Sequence, residues 1–184
     1  MVNLYQMLLA IVSWLVVIYL TIARPDISHV VGMVSKFMDA PRSVQHDDVL
    51  QILQYVEGTL YHGSHYSSRS SLELHAYSKA DWAGDSTDRC SITCFCFLLG
   101  TSLVSWRSKK QDVVSRSSTK AEYCALADTT CELVWLSWLL ADMDTPQLIA
   151  TPLYCENRIA IYIAHNDVFH ERTKHIEIDC HITC

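Results

Sequence analysis

Hydrophobic and polar positions change rhythm twice along the chain. Leu4 to Ala23 is apolar apart from Gln6, Ser13 and Thr21, and no charged residue precedes Arg24. That length can span a bilayer, so a membrane anchor over residues 4–23 is one reading; the stretch lacks the basic flank of a signal peptide. Arg24-Pro25-Asp26 breaks the run. A short helix is expected over Ile27 to Met38, ended by Ala40-Pro41-Arg42 because proline disfavours helix in the residue before it. Val49, Leu50, Ile52, Leu53 and Val56 then share a helical face, with Gly58 as the stop. Tyr61 to Ser71, rich in Ser, His and Tyr, reads as a linker and a domain boundary.

Beyond the linker the period drops to two. Leu72, Leu74, Ala76 and Ser78 alternate with Glu73, His75, Tyr77 and Lys79, as in a strand. Ala83-Gly84-Asp85 is a turn, and Ser91 to Leu99 and Ser102 to Trp106 are further strands, separated by Gly100-Thr101. A long helix follows: Thr119-Lys120-Ala121-Glu122 reads as a capping box, and Leu126, Leu133, Leu136, Leu139 and Leu140 mark its apolar stripe down to about Asp142. Leu153-Tyr154-Cys155 is a short strand, after which Asn157 caps a last helix through about Ala164. Three antiparallel strands, helix, strand and helix predict an α/β layer fold with a mixed sheet, preceded by a small helical segment.

Composition narrows the partners. The 184 residues are half apolar and 18% charged, enough for a sizeable core. The formal net charge of −6 opposes free-standing nucleic-acid binding, which usually needs a basic face. The eight cysteines lack paired C-x-x-C spacing, so they are read as reduced, unlinked thiols rather than zinc ligands. No obligate protein partner is evident, and the expected setting is intracellular.

Candidate chemistry rests on carboxylates. Phosphodiester cleavage is commonly done with two divalent ions about 3.5–4 Å apart, held by a few Asp and Glu. In this architecture the natural places are the middle of the first strand, the start of the long helix and the end of the fourth strand, which are Lys79 or Asp81, Glu122 and Glu156. Each has a plainer alternative: Asp81 as a turn residue, Glu122 as the capping acid, Glu156 as an acid at a helix N-terminus. Arg107, Lys109 and Lys110 form the one concentrated basic cluster, as a substrate-facing turn or a solvated hairpin.

A resemblance favours the first set. Tyr77-Ser78-Lys79-Ala80-Asp81-Trp82-Ala83-Gly84-Asp85 resembles the opening of the ribonuclease H domain of copia-type retrotransposons, Y-S-D-A-D-W-A-G-D. Ser102 to Gln111 is similar to that family's strand and basic turn, Ser117 to Tyr123 to S-S-T-E-A-E-Y, and Leu153 to Asn157 to L-Y-C-D-N. His170 to Glu177 resembles H-x-R-T-K-H-I-[DE], and Tyr19 to Ser28 the end of the reverse transcriptase region. The resemblance implies a reverse transcriptase remnant over residues 1–65 and a ribonuclease H-like domain over residues 72–184, incomplete at its C-terminus. It also implies hydrolysis of the RNA strand of RNA–DNA hybrids with Mg²⁺. Because the match begins inside the first apolar run, that run is expected to be a buried helix rather than a membrane anchor.

The departures bear on activity. The family's first catalytic Asp falls on Lys79, a charge reversal where a dication should bind. Asp81, two residues on, lies roughly 6.6 Å along the strand, too far to substitute. Glu122 matches the second acid, and Glu156 stands for the third Asp with one more methylene. The family's fourth acid lies in a downstream A-D-x-x-T-K segment that is not in this sequence; His175, Glu177 and Asp179 are the remaining candidates. The expectation is a degenerate copy without efficient cutting, the alternative an active Mg²⁺-dependent nuclease. Cys90, Cys124 and Cys184 for Arg, Lys120 for Glu and Asp144 for Gly are each one C-to-T or G-to-A change from the family residue. We read them as marks of cytosine deamination in a silenced element; comparison of the gene with intact relatives should show a transition excess, and its absence would sink the idea.

Overall fold

The structure is a computed structural model that describes residues 15–37 and 43–165. These fall into two compact units divided between His65 and Tyr66.

In the first unit residues 15–20 are helical (α1), followed by α2 (Pro25–Ser35) and α3 (Ser43–Gly58). Pro25 opens α2, where its missing N–H costs nothing. Val17, Ile27, Val31, Val34, Val49 and Ile52 form the core. Val49, Ile52, Leu53 and Val56 keep the spacing of one helical stripe. Leu50, expected on that face, lies one step off it and is 41% exposed. Arg24, itself buried, ties the start of α2 to the end of α3. Its guanidinium forks the Asp26 carboxylate at 2.9 and 2.7 Å and donates to the Thr59 carbonyl and hydroxyl at 3.2 and 2.8 Å. That pairing holds the Asp26 carboxyl down to about 2.

The second unit is α/β, with a four-stranded mixed sheet. β1 (Leu74–Asp81), β2 (Ile92–Leu99) and β3 (Ser102–Lys110) run antiparallel in succession. The long helix α4 (Ser118–Asp142) leads to β4 (Leu153–Cys155) and α5 (Arg158–Ala164). The elements expected from the sequence occur in that chain order, and the sheet order is β3-β2-β1-β4, with β4 parallel to β1. The helix between them carries the chain back so that two strands can run the same way.

Alternation along β1 decides what each face does. Leu74, Ala76, Ser78 and Ala80 are buried, while Tyr77, Lys79 and Asp81 point outward. Leu74, Ala76, Phe95, Phe97 and Leu136 form the core, with Leu133, Leu140 and Leu153 against it. Ala80, Ala121 and Ala125 let the start of α4 approach the end of β1 closely. Tyr123 and Leu126 receive Ala160 of α5.

Several boundaries differ from expectation, among them α2, which runs Pro25–Ser35 rather than Ile27 to Met38. β1 begins at Leu74, not Leu72. β3 continues to Lys110, so Arg107, Lys109 and Lys110 lie in a strand and not in a turn. The cap of α4 is Ser117, whose hydroxyl accepts from the Lys120 N–H at 3.2 Å; Thr119 is already helical, and Glu122 is therefore not the acid of a capping box. At the other end of α4, Asp144 has φ 58°. Its N–H donates to Ala141 O, and that of Thr145 to Leu140 O, a Schellman closure whose left-handed position ordinarily takes glycine.

Candidate functional site

The end of β1 is where the sheet runs out of partners. β4 pairs only as far as Ser78, opposite Cys155, so the next N–H on that side, from Ala80, has no strand to meet. The Glu122 carboxylate takes it, accepting from Ala80 N at 3.0 Å. The Cys155 thiol is also directed at Glu122 Oε2, at 3.8 Å. Glu122 is only 8% exposed. Burial pushes its carboxyl above the usual range, partly offset by the Ala80 hydrogen bond. Burial likewise pushes the Cys155 thiol up, which keeps it protonated and unreactive.

On the outward face Lys79 meets Glu156, with Nζ 3.0 Å from Oε2. Both groups are well exposed, and the carboxylate raises the Lys79 ammonium further above its ordinary value. Asp81, at the last position of β1, is drawn into the turn. A side chain at Gly84 would crowd the Asp81 carboxylate, which would have to swing aside. Trp82 extends away and donates its indole N–H to Ser115 O at 2.9 Å. Lys79, Asp81, Glu122 and Glu156 thus gather around one end of β1.

The basic cluster is dispersed. Arg107 and Lys109 lie exposed on β3, separated from β1 by β2. Lys110 is not available to a substrate as expected, because its ammonium is held by Asp85 at 2.8 Å and by Asp88. Asp85 is 3% exposed, and the pairing fastens the β1–β2 turn to the end of β3. Spacing along the sequence did not expose this contact; only the β2–β3 register brings Lys110 back to that turn. His175, Glu177 and Asp179 lie outside the described residues.

Comparison with known proteins gives these positions a context. The chain is 44% identical over 163 residues to the retrovirus-related Pol polyprotein from transposon RE1 of Arabidopsis thaliana, covering 89% of this chain and 11% of that protein. It is 37% identical over 158 residues to the corresponding polyprotein from transposon TNT 1-94 of Nicotiana tabacum, 86% of this chain and 12% of the relative. The chain belongs to the copia-type retrotransposon Pol family. It spans about a ninth of those polyproteins' length. A shorter protein, the secreted RxLR effector protein 161 of Plasmopara viticola, is 39% identical over 118 residues, 83% of its own length. No family model and no solved structure matches the chain.

The resemblance to that Pol family brings Mg²⁺ into question, and the residues present do not fit it. A divalent ion needs converging free carboxylate oxygens. Here Glu156 is turned to an ammonium, Glu122 Oε2 accepts from a backbone N–H and faces a thiol, and Asp81 packs over Gly84. Among the described residues no group of three or more His, Cys, Asp or Glu is arranged to hold a metal. The arrangement can neutralise charge and cap a strand; among the described residues it assembles no paired-ion centre.

Proposed function

We propose that this Pol-family chain derives from the ribonuclease H portion of the polyprotein, with the end of the reverse transcriptase before it. In this reading the second unit is ribonuclease H-like, and the ancestral activity was cleavage of the RNA strand of RNA–DNA hybrids. The present chain does not perform it. The observation that carries the reading is the ion pair between Lys79 and Glu156, which sets an ammonium where a dication would have to bind. Glu122 supports it, since its carboxylate is already engaged by Ala80 and Cys155.

Arg107 and Lys109 remain as exposed cations on β3. With Lys110 paired away and a net charge of −6, hybrid binding through them is expected to be weak and lost at physiological salt. The intracellular setting belongs to the same reading.

The test is a cleavage assay on a labelled RNA–DNA hybrid with Mg²⁺ or Mn²⁺, run on the unmodified chain and on Lys79→Asp. No cutting by the unmodified chain is expected. Robust, metal-dependent cutting by it would overturn the proposal in favour of an active nuclease. Any cutting by Lys79→Asp alone would place the lesion at that residue.

A further inference from the structure

The outward face of the sheet carries a feature that loss of cleavage leaves unexplained. A groove of about 380 Å³ runs over β1, β2 and β4, lined by Tyr77, Lys79, Cys94, Cys96, Tyr154 and Glu156 among others. Its wall is a pair of stacked rings: Tyr77 and Tyr154 lie 4.9 Å apart at 21° between planes. His75 extends the stack, 6.3 Å from Tyr154 at 15°. Both tyrosines stay accessible, at 41% and 48% exposure. The register explains the alignment, because Tyr77 pairs with Tyr154 on one side and with Cys96 on the other. The thiols of β2 therefore form an apolar floor beside the rings.

At the mouth of this groove stands the Lys79–Glu156 pair, an ammonium donor beside a carboxylate acceptor 3.0 Å away. Most of each side chain is open to solvent, at 61% and 78%, so both have hydrogen-bonding capacity to spare. An aromatic platform on an open sheet face, with a donor and an acceptor at its edge, is the arrangement that holds an unpaired base.

We propose that this groove binds a single nucleobase and favours guanine. The base lies against the Tyr77–Tyr154 stack. Its O6 accepts from the Lys79 ammonium, and its N1–H and 2-amino group donate to the Glu156 carboxylate. Guanine is selected because its edge presents one acceptor beside two donors, which a carboxylate can take bidentately. Adenine and cytosine can offer the pair only one donor beside one acceptor. The site needs neither a metal nor the ancestral catalytic arrangement, so it stands apart from the loss of cleavage.

The test is ligand-detected NMR or calorimetry of the full chain with the 5′-monophosphates of guanosine, adenosine and cytidine. The phosphate is common to all three, so differences report the base. Guanosine monophosphate should bind about tenfold or more tightly than the other two. Glu156→Ala, which removes the bidentate acceptor, should abolish that preference and leave weak binding of all three, and Lys79→Met, which removes the O6 donor, should reduce it. Tyr154→Leu should weaken all three about tenfold, while Tyr154→Phe, which keeps the ring, should bind like the parent. Circular dichroism of each protein separates lost binding from lost folding. No binding by the folded parent, equal affinity for the three nucleotides, or unchanged binding in folded Tyr154→Leu would each overturn the proposal.

Discussion

The two faces of β1 are built on different terms. On the inner face Leu74, Ala76, Ser78 and Ala80 alternate into the core beneath α4, and each is well packed. Even its polar member is satisfied, since the Thr129 hydroxyl meets that of Ser78 at 3.0 Å. On the outer face the same strand carries Lys79, whose ammonium meets the Glu156 carboxylate in the open. The inner residues are constrained by close packing, where a changed volume or an unpaired polar group is costly. The outer ones answer only to chemistry. Under the function proposed above, the fold outlasts its reaction, because the side chains that hold the sheet together are not those that would act on a substrate.

The largest break in this contrast should come from Phe97→Ala. Phe97 is fully buried and meets Phe95 edge-on at 5.5 Å. Its loss should cost about 3–5 kcal/mol, read as a lower denaturant midpoint. A cost near zero would mean that the inner face is not the stabilising one.

Glu122 comes next, because its buried carboxylate serves the inner side of the sheet, accepting from the Ala80 N–H. Glu122→Ala should cost about 1–3 kcal/mol by orphaning the Ala80 N–H, with or without Mg²⁺, whereas Glu122→Gln should retain most of the stability. Its acidity offers a second check. A carboxyl raised by burial binds protons more readily in the folded chain. Stability should therefore fall as pH rises from the ordinary glutamate range through the raised value, and Glu122→Gln should flatten that slope. Asp26 in the first unit has the opposite sign. Its contribution is present above the ordinary aspartate range and is lost as pH falls toward about 2.

A smaller change, in the stabilising direction, should follow Asp144→Gly. Relieving the left-handed backbone at the end of α4 should add about 0.5–1 kcal/mol. The least effect should be that of Lys79→Met. Its ion pair is exposed on both sides, and the denaturant midpoint should not move measurably. A clear loss of stability would show that the outer face has acquired a structural duty.

Much of this architecture is legible in the residues. Asn157 caps α5 as expected, its side chain accepting from Ile159 and Ala160 N–H at 3.0 Å. The period-two run places Tyr77 and Lys79 on one face of a strand, and the long apolar stripe ends at Asp142. Such signals are local: a cap, a turn or an alternation is set by residues a few positions apart. Local spacing also misled, since Thr119 to Glu122 has the pattern of a capping box while Ser117 is the actual cap.

The sequence by itself determined the kind of elements, their order and the family. It also placed an ammonium, that of Lys79, where the resemblance leads one to expect an acid. Only the tertiary structure decided what each charged group does. Glu122 became a strand cap because β4 stops short of Ala80. Lys110 left the basic cluster because the β2–β3 register returns it to Asp85. Lys79 found Glu156 because a strand 77 residues away in the chain lies beside β1. Each of these depends on which elements become neighbours, and that is fixed by burying the whole apolar face at once rather than by any short stretch of sequence.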